Sequence, residues 1–221
     1  MTLTDVLMAL AMGKEHTIGL SDILGVPHQL ALIVMIFGGA MIGGAELAKG
    51  SIGWLYLSTN RRVLLVVARM VLLVVAFALA ATVGAVLGTL ILAALGYRLD
   101  LGNLWEKDTL LGVASVYGTW VIFTVLAVLL TYALGRGVYA AMILMVDTFL
   151  VETALLGFDP SWGQFLARIL PLANVQAMTL GDDSAFAAAQ NGHLGAMLIL
   201  VVTVALLLAL AARAINRRAV N

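Results

Sequence analysis

Cysteine is absent from this chain, proline occurs three times in 221 residues, and charged side chains make up only 11% of it. Without cysteine there are no disulfides, thiolate metal sites or cysteine nucleophiles, and the redox compartment leaves no trace. So few charges cannot cover a soluble domain, where about a quarter of residues are charged. Twelve acidic residues balance twelve basic ones, so the chain has no excess basic charge to attract nucleic acid. Phosphate-binding and metalloprotease signatures are missing too. There is no GxxxxGK[ST] and no HExxH, nor a serine–histidine pairing of the intramembrane serine-protease kind. His16, His28 and His193 stand apart from one another and read as exposed loop residues near a membrane surface. No catalytic residue, metal ligand or cofactor-binding residue is expected.

What the chain has instead is apolar length. Hydrophobic residues make up 63% and the mean hydropathy is +1.09. Such a surface needs lipid as its solvent, and in a bilayer core only helices and closed barrels satisfy their own backbone polar groups. Barrel strands alternate over about ten residues. This chain shows long unbroken apolar runs, which predict an all-α, polytopic transmembrane bundle.

A crossing takes about 20 apolar residues. Residues 30–47, 70–97, 109–134, 138–157 and 194–213 meet that need, giving five spans in one domain. The second apolar run begins at Val63, and Arg69 near its start is placed to snorkel at the interface. Arg61 and Arg62, then Arg136 in the Gly135-Arg136-Gly137 turn, then Arg213, Arg217 and Arg218 all fall on one side. That side is the cytoplasm by the positive-inside rule. Residues 1–29 form a non-spanning or interfacial segment, unless a further span precedes them. On the other side Trp162, Phe165, Leu166, Ile169 and Leu170 recur at helical spacing before Pro171 interrupts, which predicts an outer amphipathic helix. Asp182, Asp183 and Ser184 follow as a polar turn.

Two carboxylates fall inside the fourth span, Asp147 and Glu152. A charge at mid-membrane costs about 2.5–3.5 kcal/mol on insertion scales, so both should face protein or water. They are candidates for a substrate path or proton relay, or for hydrogen bonding to neighbouring helices. On an α-helix five residues separate them by about 140°, which predicts that they do not share a face. Gly39 with Gly43, and Gly84 with Gly88, form small-residue pairs suited to a dimer seam or to internal packing.

The segment from Glu46 to Arg69 carries the most specific pattern. An acid closes one span, Lys49, Gly50, Ser51 and Trp54 follow in a short amphipathic piece, and Arg61-Arg62 leads into the next span. This resembles the type-2 permeases of the ATP-binding-cassette (ABC) family. In these an acid and a Gly-Thr-like pair precede a cytoplasmic coupling helix, followed by an Arg and a second basic residue about seven positions on. Glu46, Gly50, Ser51, Arg62 and Arg69 stand at those positions. The family continues with four more spans, an outer helical hairpin and a basic end. The chain departs from it at Ser58-Thr59-Asn60, where a proline is usual, and in lacking the first of six spans.

The resemblance implies the membrane subunit of an ABC exporter in a bacterial plasma membrane. It would pair with a second permease copy or homologue, contact lipid, and dock separate ATPase subunits through Glu46, Lys49, Gly50, Ser51, Trp54, Arg61, Arg62 and Arg69. ATP and magnesium would then bind in the partner. The alternatives are a secondary transporter or channel working through Asp147 or Glu152, and a non-transporting accessory subunit.

Overall fold

The computed structural model describes residues 18–48, 62–100, 102, 105–156, 165–166, 168–179 and 191–218. The chain is helical there apart from short turns and a two-residue parallel pairing, with β1 (Ile18–Gly19) beside β2 (Leu99–Asp100). The helices are α1 (Leu20–Ala48), α2 (Arg62–Ala94), α3 (Lys107–Leu134) and α4 (Gly137–Val146). A π-helical segment, Asp147–Glu152, continues α4 into α5 (Thr153–Leu156). After it come α6 (Pro171–Thr179) and α7 (Gly192–Arg218).

Three stretches are long and apolar enough to cross a membrane, Val63–Ala94, Thr109–Leu134 and Gly192–Arg217. A shorter apolar stretch, Leu30–Ala45, lies within α1. That helix begins ten residues before the apolar run, so His28, expected in a loop, lies within it. The outward faces of α2 and α7 are almost wholly apolar. Leu72 is 67% exposed, Leu79 62%, Leu198 66% and Leu206 60%, a surface that lipid accepts and water does not.

α3 is the axis of the bundle because both its faces are apolar. Trp120, Phe123, Leu126 and Ala127 pack against Leu32, Ile36 and Ala40 of α1 and Ala140, Ala141 and Leu144 of α4. Val125, Val128, Leu129 and Tyr132 turn the other way, toward Val66 of α2 and Ala211 and Ile215 of α7. Threonines tolerate this apolar setting by closing on their own helix. Thr119 and Thr124 donate to the carbonyls of Ser115 and Trp120, each at 2.8 Å.

The Gly39/Gly43 pair serves internal packing. A Cβ on Gly39 would stand 3.3 Å from the Ala127 Cβ, and one on Gly43 3.5 Å from Thr131 Cγ2. Thr131 Oγ1 also donates to the Ala40 carbonyl at 3.3 Å, so α1 and α3 approach along a small-residue seam.

Gly135 ends α3 in the left-handed region (φ 80°), its N–H donating to the Thr131 carbonyl at 2.7 Å. This closes the helix as a glycine C-cap, and α4 begins two residues later, antiparallel to α3. Gly137 meets the Ala40 backbone so closely that any side chain there would collide with its carbonyl.

Candidate functional site

Two regions carry the chemistry. One is the end of the bundle where the basic residues gather. Leu47 at the end of α1, Val66 near the start of α2, Tyr132 near the end of α3 and Ile215 near the end of α7 share one packed cluster. Arg62, Arg136, Arg213 and Arg217 therefore stand at one end of the molecule. Ala48 and Arg62, which flank residues 49–61, end α1 and begin α2 at this end. Lys49, Gly50, Ser51, Trp54 and Arg61 lie outside the described residues. Glu46 lies in the last turn of α1 and Arg62 opens α2.

Arg69 differs from its expected role. Its guanidinium donates to the hydroxyl of buried Tyr132 at 3.4 Å. It turns into the bundle rather than snorkelling to the interface, because Tyr132 offers an acceptor one helix away.

The other region is the π-segment. Asp147 lies ten residues beyond Gly137, about 15 Å along the helix from the basic end. Its backbone N–H donates to both the Ile143 and Leu144 carbonyls, the point at which the α-helical register gives way. In a π-helix the bonds join residues five apart, so positions 147 and 152 come round to the same side. The expectation that the two carboxyls lie on different faces fails for this reason: the π-register brings both to one side of the helix.

Glu152 is fully buried and its carboxylate caps another helix. Oε1 accepts from the Leu172 N–H at 3.1 Å and Oε2 from the Ala173 N–H at 2.9 Å. These are first-turn donors of α6, which have no partner within their own helix. The carboxylate also meets the positive end of the α6 dipole.

Pro171 opens α6 instead of interrupting a helix, as expected of a residue whose fixed φ and missing N–H suit a first helical position. The outer amphipathic helix expected to end there is only partly described. Phe165 and Leu166 are helical and exposed, and turns at Arg168 and Ile169 follow. Trp162 and the polar turn at Asp182, Asp183 and Ser184 lie outside the described residues.

α6 dips between α3 and α7. Val175 comes within contact of Gly118, which lies about 16 Å along α3 from Lys107. Polar backbone at that depth must be satisfied by protein. Buried Asn174 meets the need, donating to the carbonyls of Arg168 at 2.9 Å and Leu170 at 2.7 Å. Asn191 donates to Arg168 O at 2.8 Å and to Asn174 Oδ1 at 3.1 Å. His193 is exposed, with Nδ1 2.9 Å from the Met178 carbonyl. Asn174 and Asn191 went unremarked in the sequence, where a lone asparagine in a loop carries no periodic signal.

Among the described residues no group of three or more His, Cys, Asp or Glu side chains could hold a metal ion. No family model matches the chain, and no curated protein or solved structure matches it.

Proposed function

We propose that this chain is the membrane subunit of an ABC exporter, crossing a bacterial plasma membrane five times through α1, α2, α3, the α4–α5 run and α7. The observation that carries the reading is the shared position of Ala48 and Arg62 at the basic end. The residues that flank 49–61 thus stand on the side where positive residues collect, the cytoplasmic side by the positive-inside rule. The resemblance at Glu46, Gly50, Ser51, Arg62 and Arg69 assigns that segment to an ATPase. α6, packed against the last long helix, belongs to the stretch where the resemblance implies an outer hairpin. Two permease copies, or this chain and a relative, would enclose the path, and closure of the ATP-bound ATPases would rock the helices.

The test is purification of the tagged chain in mild detergent with identification of what remains bound. Recovery of a Walker-motif ATPase, lost in Arg62→Glu, supports the reading. Its absence under conditions that keep other complexes intact would overturn it.

The second reading, an ion-coupled transporter, gains from the π-register that joins Asp147 to Glu152. Two carboxyls on one side of a helix that crosses the membrane are suited to carrying ionic coupling. Transport that follows a proton gradient without any ATPase would favour it.

A further inference from the structure

A groove of about 420 Å³ opens at the basic end between α1 and α4. Its walls are Met41, Gly44 and Ala45 on one side and the turn from Gly135 to Tyr139 on the other. The walls are almost entirely apolar, and one cation stands at the mouth. The Arg136 guanidinium donates to the Tyr139 hydroxyl at 3.2 Å and lies 5.4 Å from the centre of that ring. Both residues are exposed. Tyr139 takes one of the five guanidinium donors and holds the planar fork in place.

Arg136 is also the N-cap residue of α4 and makes no side-chain capping bond. A cation at that position opposes the helix dipole, whose positive end lies there. First-turn N–H groups have no partner within their own helix; Gly137 is packed against Gly44 and Ala40 of α1, while Val138 and Tyr139 are exposed beside the guanidinium. An anion at this place would relieve the conflict between guanidinium and dipole and satisfy donors from both.

The surroundings indicate what the anion is attached to. Val138, Met142 and Val146 form an exposed stripe at four-residue spacing that leads along α4 away from Arg136. Val34, Phe37 and Met41 form a second along α1. The cation thus stands where two apolar tracks converge, at the end of the bundle assigned to a headgroup layer. A soluble phosphate would use the cation and leave the tracks unexplained.

We infer that the α1–α4 groove is a binding site for one anionic phospholipid, its phosphate held by Arg136 and the start of α4 and its acyl chains along the two stripes. Basic pockets between helices at the cytoplasmic surface suit such headgroups in general. The inference rests on the chain lying in a bilayer, not on an ATPase partner, so the purified chain alone tests it.

The experiment is native mass spectrometry of the chain from micelles holding equal amounts of phosphatidylglycerol and phosphatidylethanolamine. One phosphatidylglycerol should be retained at least fivefold over phosphatidylethanolamine. Arg136→Gln should bring that ratio near one, and Ala45→Trp, which fills the groove and keeps the cation, should lower it as well. Arg213→Gln, at the same end but outside the groove, should leave the ratio unchanged. Equal retention of the two lipids by the unaltered chain, or a preference that survives Arg136→Gln, would overturn the inference. So would displacement of the lipid by millimolar inorganic phosphate, which would mark a site for the free ion.

Discussion

Glu152 Oε2 accepts a hydrogen bond from the Ala173 N–H at 2.9 Å, across 21 residues of chain. With the partner bond to the Leu172 N–H, it makes one buried carboxylate the cap of a helix that belongs to a different part of the sequence. The arrangement ties the π-turn of the fourth apolar run to α6, so a change at one end should be felt at the other.

Glu152→Ala leaves the buried Ala173 N–H and the part-buried Leu172 N–H without an acceptor. Each such loss costs about 1–3 kcal/mol, so destabilisation of about 2–6 kcal/mol is expected. Glu152→Gln keeps one carbonyl acceptor and should lose less. Thermal unfolding in detergent, with amide exchange over residues 171–179, checks both. Unchanged protection of α6 in Glu152→Ala would contradict the capping role.

Asp147→Asn separates the two functional readings. An ABC permease should retain ATP-driven transport in this variant, because hydrolysis and docking occur elsewhere. An ion-coupled transporter should lose gradient-driven uptake. Transport assayed in proteoliposomes, with ATP and with a proton gradient in turn, distinguishes them.

Gly137→Ala places a methyl group against the Ala40 carbonyl. Overpacking of this kind costs about 1–3 kcal/mol, and α1 and α4 must separate to relieve it. Gly112→Ala is the control, since a Cβ there meets nothing within 4 Å. In the body of α3 it should stabilise by up to about 1 kcal/mol through helix propensity. Comparing the two unfolding midpoints isolates close packing from backbone entropy.

The lack of cysteine makes topology directly measurable. Single substitutions Gly102→Cys and Asn216→Cys place a thiol at exposed positions on opposite ends of the bundle. A membrane-impermeant maleimide added to intact cells should label Gly102→Cys and reach Asn216→Cys only after permeabilisation. The reverse pattern would invert the orientation inferred from the arginines.

Composition and apolar run length were enough to define a helical chain with membrane-spanning stretches. The reason is local: a run such as Val71 onward in α2, or Leu194 onward in α7, has no alternative that satisfies its backbone in lipid. The position of Arg136 between Gly135 and Gly137 likewise marked the tight turn, because a left-handed cap favours glycine wherever it lies.

Tertiary structure alone decided the rest. A π-turn at Asp147 inserts one extra residue into the helical repeat, and α-helical geometry applied to the sequence places Asp147 and Glu152 on different faces. The capping of α6 by Glu152, the turn of Arg69 toward Tyr132 and the Asn174–Asn191 bond join residues far apart in the chain. Hydrogen bonds of this kind leave no periodic trace in a sequence. They form because buried donors must find acceptors where water is excluded, and which acceptor is near depends on how the helices pack.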